Sequence, residues 1–251
     1  MLRKSIVSVA LGLAMSVSAQ SSLAAPVKNI VLVHGAFVDG SGWDPVARIL
    51  NKAGYKVSIV QEPQTSLADD VAATRRVLKM QNGKTLLVGH SYGGMIISEA
   101  GNDPSVAGLV YIAAMQPDKG DSLLSLAKKY PPASHSIAET EDHFLYLKPE
   151  AFHADFAADL PRKETDLLAQ SQVMPSVAAF SAPAGEPAWK NKPSWAVVAT
   201  EDRAINPELE RFMAGRANSK VTELKGNHAL YASQPGKIAA VIEDAAQALS
   251  R

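Results

Sequence analysis

A serine set among glycines, where a buried strand runs into a helix, leaves a chain few ways to fold. Here that stretch is Gly89-His90-Ser91-Tyr92-Gly93-Gly94. Before it, Thr85-Leu86-Leu87-Val88 is a short unbroken apolar run, the pattern of a strand covered on both faces. After it, Met95, Ile96, Ile97 and Ala100 recur at helical spacing, and Gly101-Asn102 followed by Pro104 supplies a stop. Ser91 therefore falls on a strand-to-helix turn of Gly-x-Ser-x-Gly form. Lifting its hydroxyl clear of both elements requires a strained backbone, and the residues two before and two after it crowd together. Gly89 and Gly93 relieve that crowding because they have no Cβ.

The same alternation runs through the rest of the chain. Residues 29–33, 56–60, 85–88, 106–113, 194–199 and 220–224 read as strands. Helices are expected over 43–54, with Asp44 as N-cap and Pro45 in the first turn, over 66–80, and over 235–249. Strands alternating with helices build a parallel sheet covered on both faces. The alternation breaks once, over about residues 117–192. Helical pieces at 122–129 and 164–172 are interrupted there by Pro131-Pro132, Pro149, Pro161, Pro175, Pro183 and Pro187. A structureless loop of that length is unusual in a compact domain, so an inserted helical lid is expected.

Residues 1–24 have the form of a secretory signal: Arg3 and Lys4, an apolar core from Ile6 to Met15, then Ser22-Leu23-Ala24 to suit signal peptidase. The core is too short to span a bilayer. Cleavage after Ala24 is expected, giving a periplasmic or secreted protein with no membrane anchor, and residues 25–251 then read as one domain. Acidic and basic residues balance at 25 each, so no net charge favours nucleic acid or an anionic surface as partner. The chain has no cysteine, which excludes disulfides, thiol nucleophiles and thiolate metal sites. The loop Phe37-Val38-Asp39-Gly40-Ser41-Gly42 lacks the Gly-Lys-Ser/Thr ending of a P-loop and the spacing of a dinucleotide fingerprint. No cofactor and no metal are expected.

Taken together, these residues resemble the α/β-hydrolase fold over nearly all of the chain after the leader. The resemblance is nearest to the small esterase group that includes plant methyl-ester hydrolases and hydroxynitrile lyases. Those proteins similarly begin on an apolar strand ending in His-Gly-Ala or His-Thr-Ile, here His34-Gly35-Ala36. The resemblance implies a mostly parallel six-stranded sheet with helices on both faces, a helical lid after the fourth strand, and a site at the carboxyl ends of the strands. It also implies a serine hydrolase. Ser91 would be the nucleophile and needs a base. His228, in Leu224-Lys225-Gly226-Asn227-His228, occupies the loop after the last strand where this fold keeps its histidine. Asp202, closing Val197-Val198-Ala199-Thr200-Glu201-Asp202, is favoured as the acid that orients it, with Glu201 as the local rival and Asp118 as the remote one. The chain order Ser91, Asp202, His228 is that of the fold. Backbone N–H groups of Ala36 and Tyr92 are expected to receive the oxyanion.

Departures from individual relatives narrow the chemistry. Haloalkane dehalogenases and epoxide hydrolases of this fold carry an aspartate at the elbow, where this chain has Ser91. Hydroxynitrile lyases carry a lysine after the catalytic histidine and a threonine beside the oxyanion, where this chain has Ala229 and Ala36. Hydrolysis of small uncharged or aryl esters is the resulting expectation, with a receptor of the same fold or a lyase as alternatives. Phe144, Tyr146, Phe152, Phe156, Met174 and Phe180 are candidate lid residues for an acyl or aryl pocket. Arg162 and Lys163 could grip an anionic substrate only by turning inward from the helix start after Pro161.

Overall fold

The structure is a computed structural model and describes residues 26–250, so the leader expected at 1–24 lies outside the described residues. The chain opens with three strand-helix steps and a fourth strand. These are β1 (Asn29–Val33) and α1 (Asp44–Lys52), β2 (Lys56–Ile59) and α2 (Leu67–Leu78), β3 (Thr85–Ser91) and α3 (Gly93–Ala100), then β4 (Val106–Ala114). An insert follows, with α4 (Leu123–Lys129), β5 (Ile137–Glu139), β6 (Leu145–Leu147), α5 (Pro149–Phe156), α6 (Arg162–Gln170) and α7 (Val177–Ser181). The chain then returns to the sheet through β7 (Ser194–Ala199), α8 (Pro207–Arg216), β8 (Lys220–Leu224), α9 (Leu230–Ser233) and α10 (Pro235–Ala248).

The six main strands lie in the order β2-β1-β3-β4-β7-β8, and every pairing is parallel. Every residue of β1, β3 and β7 is buried, which requires cover on both faces of the sheet, whereas the edge strands β2 and β8 are partly exposed. α1 packs with α10 and α2 with α3, so each face is closed by a helix pair. The apolar runs read from the sequence are thus the core, where each fully buried Leu or Ile contributes about 1.5–3 kcal/mol.

Two local expectations change. Asp44 does not cap α1; a 3-10 turn at Gly40–Trp43 precedes the helix, and Asp39 caps that turn by accepting the Ser41 N–H at 2.8 Å. Asp44 instead pairs with Arg48 one turn on, at 2.8 Å. The lid is not wholly helical, since β5 and β6 form an antiparallel ladder from Ile137↔Leu147 to Glu139↔Leu145. By contrast Ser66 does cap α2, accepting the Asp69 N–H at 3.1 Å.

Candidate active site

The strand-to-helix turn after β3 has the strain its sequence implied. Ser91 takes φ of 53°, a left-handed conformation rare for a residue with a side chain. A Cβ on Gly89 would lie 2.7 Å from the Gly93 carbonyl oxygen, and one on Gly93 would lie 2.5 Å from that of His34. The backbone can therefore turn this sharply only with glycine on both sides. The turn leaves Ser91, 9% exposed, lining a cavity.

The structure brings Ser91, His228 and Asp202 into one hydrogen-bonded line. His228 Nε2 lies 2.8 Å from Ser91 Oγ, and His228 Nδ1 lies 2.6 Å from Asp202 Oδ2. His228 is 1% exposed and Asp202 4% exposed. With a carboxyl oxygen at Nδ1 and a hydroxyl at Nε2, the tautomer assigned is the one in which Nδ1–H donates to Asp202 and Nε2 is left to accept the Ser91 hydroxyl proton. Asp202 is itself oriented, because Oδ1 accepts the N–H groups of Ala204 at 2.7 Å and Ile205 at 2.9 Å. The rivals stand elsewhere. The Glu201 side chain is 52% exposed beside Lys225, and Asp118 pairs with Lys190 at 2.7 Å, which holds its carboxyl below the ordinary aspartate range.

Neighbouring elements fix the imidazole. His90, in the strand that carries Ser91, donates from Nε2 to the His228 carbonyl at 3.1 Å. Burial, followed by the nearby His228, keeps the His90 ring well below the ordinary histidine range, so it is a neutral donor. Its other nitrogen is buried without a partner among the described residues, and the ring packs against Tyr231 with centroids 4.4 Å apart and His228 at 4.6 Å. On the lid side, Phe156 meets the His228 ring edge-on at 4.8 Å, and its carbonyl accepts the Ala229 N–H at 3.0 Å.

The Ala36 and Tyr92 N–H groups both belong to residues lining the cavity beside Ser91. Neither has an acceptor among the described residues, although most buried backbone donors are paired. Tyr92 precedes α3, so its N–H also lies at the positive end of that helix. Such free donors suit a developing negative charge.

The cavity holds about 510 Å³ of empty space, part of it open to solvent. Phe156 and Phe180 line it as expected, but Phe144, Tyr146, Phe152 and Met174 do not. Phe152 is buried in the lid core one turn from Phe156, their rings 4.9 Å apart, and Met174 is exposed. Of the remaining apolar wall, Leu123, Ile137 and Leu147 come from the insert, and loops at the strand ends add Phe37, Met115 and Ile205. Their positions, one residue after Ala36, directly after β4 and three after Asp202, were a readable signal. Apart from His228 and the Tyr92 phenol, the lining residues carry no ionisable side chain, and Arg162 and Lys163 are exposed at the start of α6.

Residues 30–241 match the model of the Alpha/beta hydrolase family, and the chain belongs to that family. The carbendazim hydrolyzing esterase of Nocardioides sp. (strain SG-4G) is 37% identical over 115 residues, which span 40% of this chain and 48% of that protein. Salicylic acid-binding protein 2 of Nicotiana tabacum is 26% identical over 247 residues, covering 85% of this chain and 95% of that protein. Among solved structures, a pyrethroid hydrolase from Sphingobium faniae JZ-2 superposes with a TM-score of 0.76 at 24% identity, over 88% of this chain and 98% of that one, a likeness of fold.

Proposed function

We propose that this chain is a serine esterase that cleaves small uncharged or aryl carboxylic esters through an acyl-enzyme, with Ser91, His228 and Asp202 as catalytic triad. The observation that supports it most is the line Ser91 Oγ, His228 Nε2 at 2.8 Å, and Asp202 Oδ2 at 2.6 Å from Nδ1, on the wall of a cavity that Ala36 and Tyr92 also line. Ser91 Oγ attacks the ester carbonyl as His228 Nε2 takes its proton, and Asp202 stabilises the imidazolium. The oxyanion is received by the N–H groups of Ala36 and Tyr92. His228 then returns the proton to the leaving alcohol. A water, deprotonated by the same nitrogen, attacks the acyl-Ser91 carbonyl and releases the acid.

The apolar wall supports neutral substrates, because a carboxylate would be desolvated there with no cation to meet it. A neutral p-nitrophenyl ester is expected to be hydrolysed at least about tenfold faster, by kcat/KM, than its carboxylate-bearing analogue. Preference for the anion would contradict this and make Arg162 the first residue to replace. The same reading has the chain exported through residues 1–24 to the periplasm or beyond. A binding role is the second reading, favoured by similarity to a protein named for binding salicylic acid. It is distinguished by release of p-nitrophenol that stops after one equivalent.

A further inference from the structure

Behind Asp202 lies a carboxyl group that the reaction described above leaves unused. Glu210, on α8, is 4% exposed. Its Oε2 accepts the Ala199 N–H at 3.2 Å, while the Ala199 carbonyl accepts the Asp202 N–H at 3.1 Å. One residue at the end of β7 thus holds both acids together, and their side chains come within hydrogen-bonding reach. Glu210 Oε1 is shut off from solvent and accepts no N–H or O–H donor among the described residues.

Two carboxylates in contact in so dry a place do not both ionise. The donors decide which keeps its charge. Asp202 receives three, from His228 Nδ1, Ala204 N and Ile205 N, whereas Glu210 receives one, from Ala199 N. The proton therefore belongs on Glu210, at the oxygen that lacks a partner. Burial first and the Asp202 charge second push the Glu210 carboxyl well above the ordinary glutamate range, in agreement with that count.

We propose that Glu210, as a neutral carboxylic acid, donates a hydrogen bond to Asp202 and is a positioning residue for the triad. The inference rests on the reading of Asp202 as the acid that orients His228. A fourth donor fixes the carboxylate plane and spreads its charge, so Asp202 holds the imidazolium firmly without trapping its proton. The other titratable or charged groups around the pair are His228 and His90 on the site side and Arg211 beside Glu210 on α8. Arg211 is committed to Glu208 at 2.6 Å and Glu223 at 2.8 Å.

The test compares Glu210→Gln, Glu210→Met and Asp202→Asn in kcat/KM for p-nitrophenyl acetate across pH. A glutamine can accept from Ala199 and donate to Asp202, so Glu210→Gln is expected to stay within about threefold with its acidic limb in place. Methionine cannot donate. Glu210→Met is expected to lose about tenfold, and its acidic limb should move to higher pH because the carboxylate facing the imidazole then has one donor fewer. A folded Glu210→Met with an unmoved limb would reduce Glu210 to packing and overturn the proposal. Glu210→Gln as impaired as Glu210→Met would overturn it too. If the methionine variant does not fold, infrared spectroscopy of the isotope-labelled wild type at neutral pH decides: a protonated glutamic acid band that vanishes in Glu210→Gln supports the proposal, and its absence refutes it. An active Asp202→Asn would remove the triad reading itself, a result separate from any of these.

Discussion

At the scale of single residues, the site is a set of side chains each held by more than one neighbour. Asp202 illustrates the consequence: three donors are fixed on it, and in the proposed mechanism its loss would remove both the orientation of His228 and the charge that balances the imidazolium. Asp202→Asn is expected to lower kcat by about four orders of magnitude, as the tautomer argument requires. Glu201→Gln should change it little, since that side chain faces solvent and Lys225. Steady-state rates on one p-nitrophenyl ester check both, and the reverse ranking would transfer the role to Glu201. Ser91, Asp202 and His228 could be brought together from the sequence because each lies at or shortly after the carboxyl end of a strand, β3, β7 and β8, so all three meet at one edge of the sheet. Glu210 could not. It lies inside Pro207-Glu208-Leu209-Glu210-Arg211, where a charged residue reads as solvated and only the tertiary packing turns it inward.

At the scale of elements, legibility followed the strength of the apolar pattern. β1 and β7 begin and end where their runs do, because unbroken buried strands have few alternative registers. α8 went unread, since its few inward positions, Leu209, Glu210, Met213 and Ala214, are scattered among charges. β5 and β6 are three residues each, too short for a two-residue period to stand out. The elbow makes the sharpest prediction at this scale. Gly93→Ala would press a methyl against the His34 carbonyl where backbone meets backbone, with no flexible side chain to give way. It is expected to cost about 1–3 kcal/mol. Thermal unfolding should register this as a lower Tm, and under the proposed function p-nitrophenyl ester hydrolysis should fall alongside as the loop after β1 shifts. An unchanged Tm would mean that the crowding is not where it is described.

At the scale of the whole molecule, the sheet gathers residues far apart in the chain around one dry centre, and that dryness links stability to pH. His90 is buried and held well below the ordinary histidine range. Below about pH 6.5 the unfolded chain binds a proton there that the native state refuses, so stability is present above that pH and is lost as pH falls, by up to about 1.4 kcal/mol per unit. His34, raised on balance although burial acts against it, and Glu210, raised by burial, contribute with the opposite sign. The difference between wild type and His90→Asn in urea unfolding isolates the effect: the variant should lose less stability on acidification, and a parallel loss would contradict a neutral His90. The arrangement as a whole exists, in this reading, to make one serine nucleophilic. The most direct measurement is therefore intact-mass and peptide analysis after a fluorophosphonate, paired with p-nitrophenyl acetate turnover by wild type and Ser91→Ala. One adduct on the peptide carrying Ser91, absent from a folded Ser91→Ala that retains only background hydrolysis, is the expected result. An adduct elsewhere, or substantial turnover by Ser91→Ala, would contradict it.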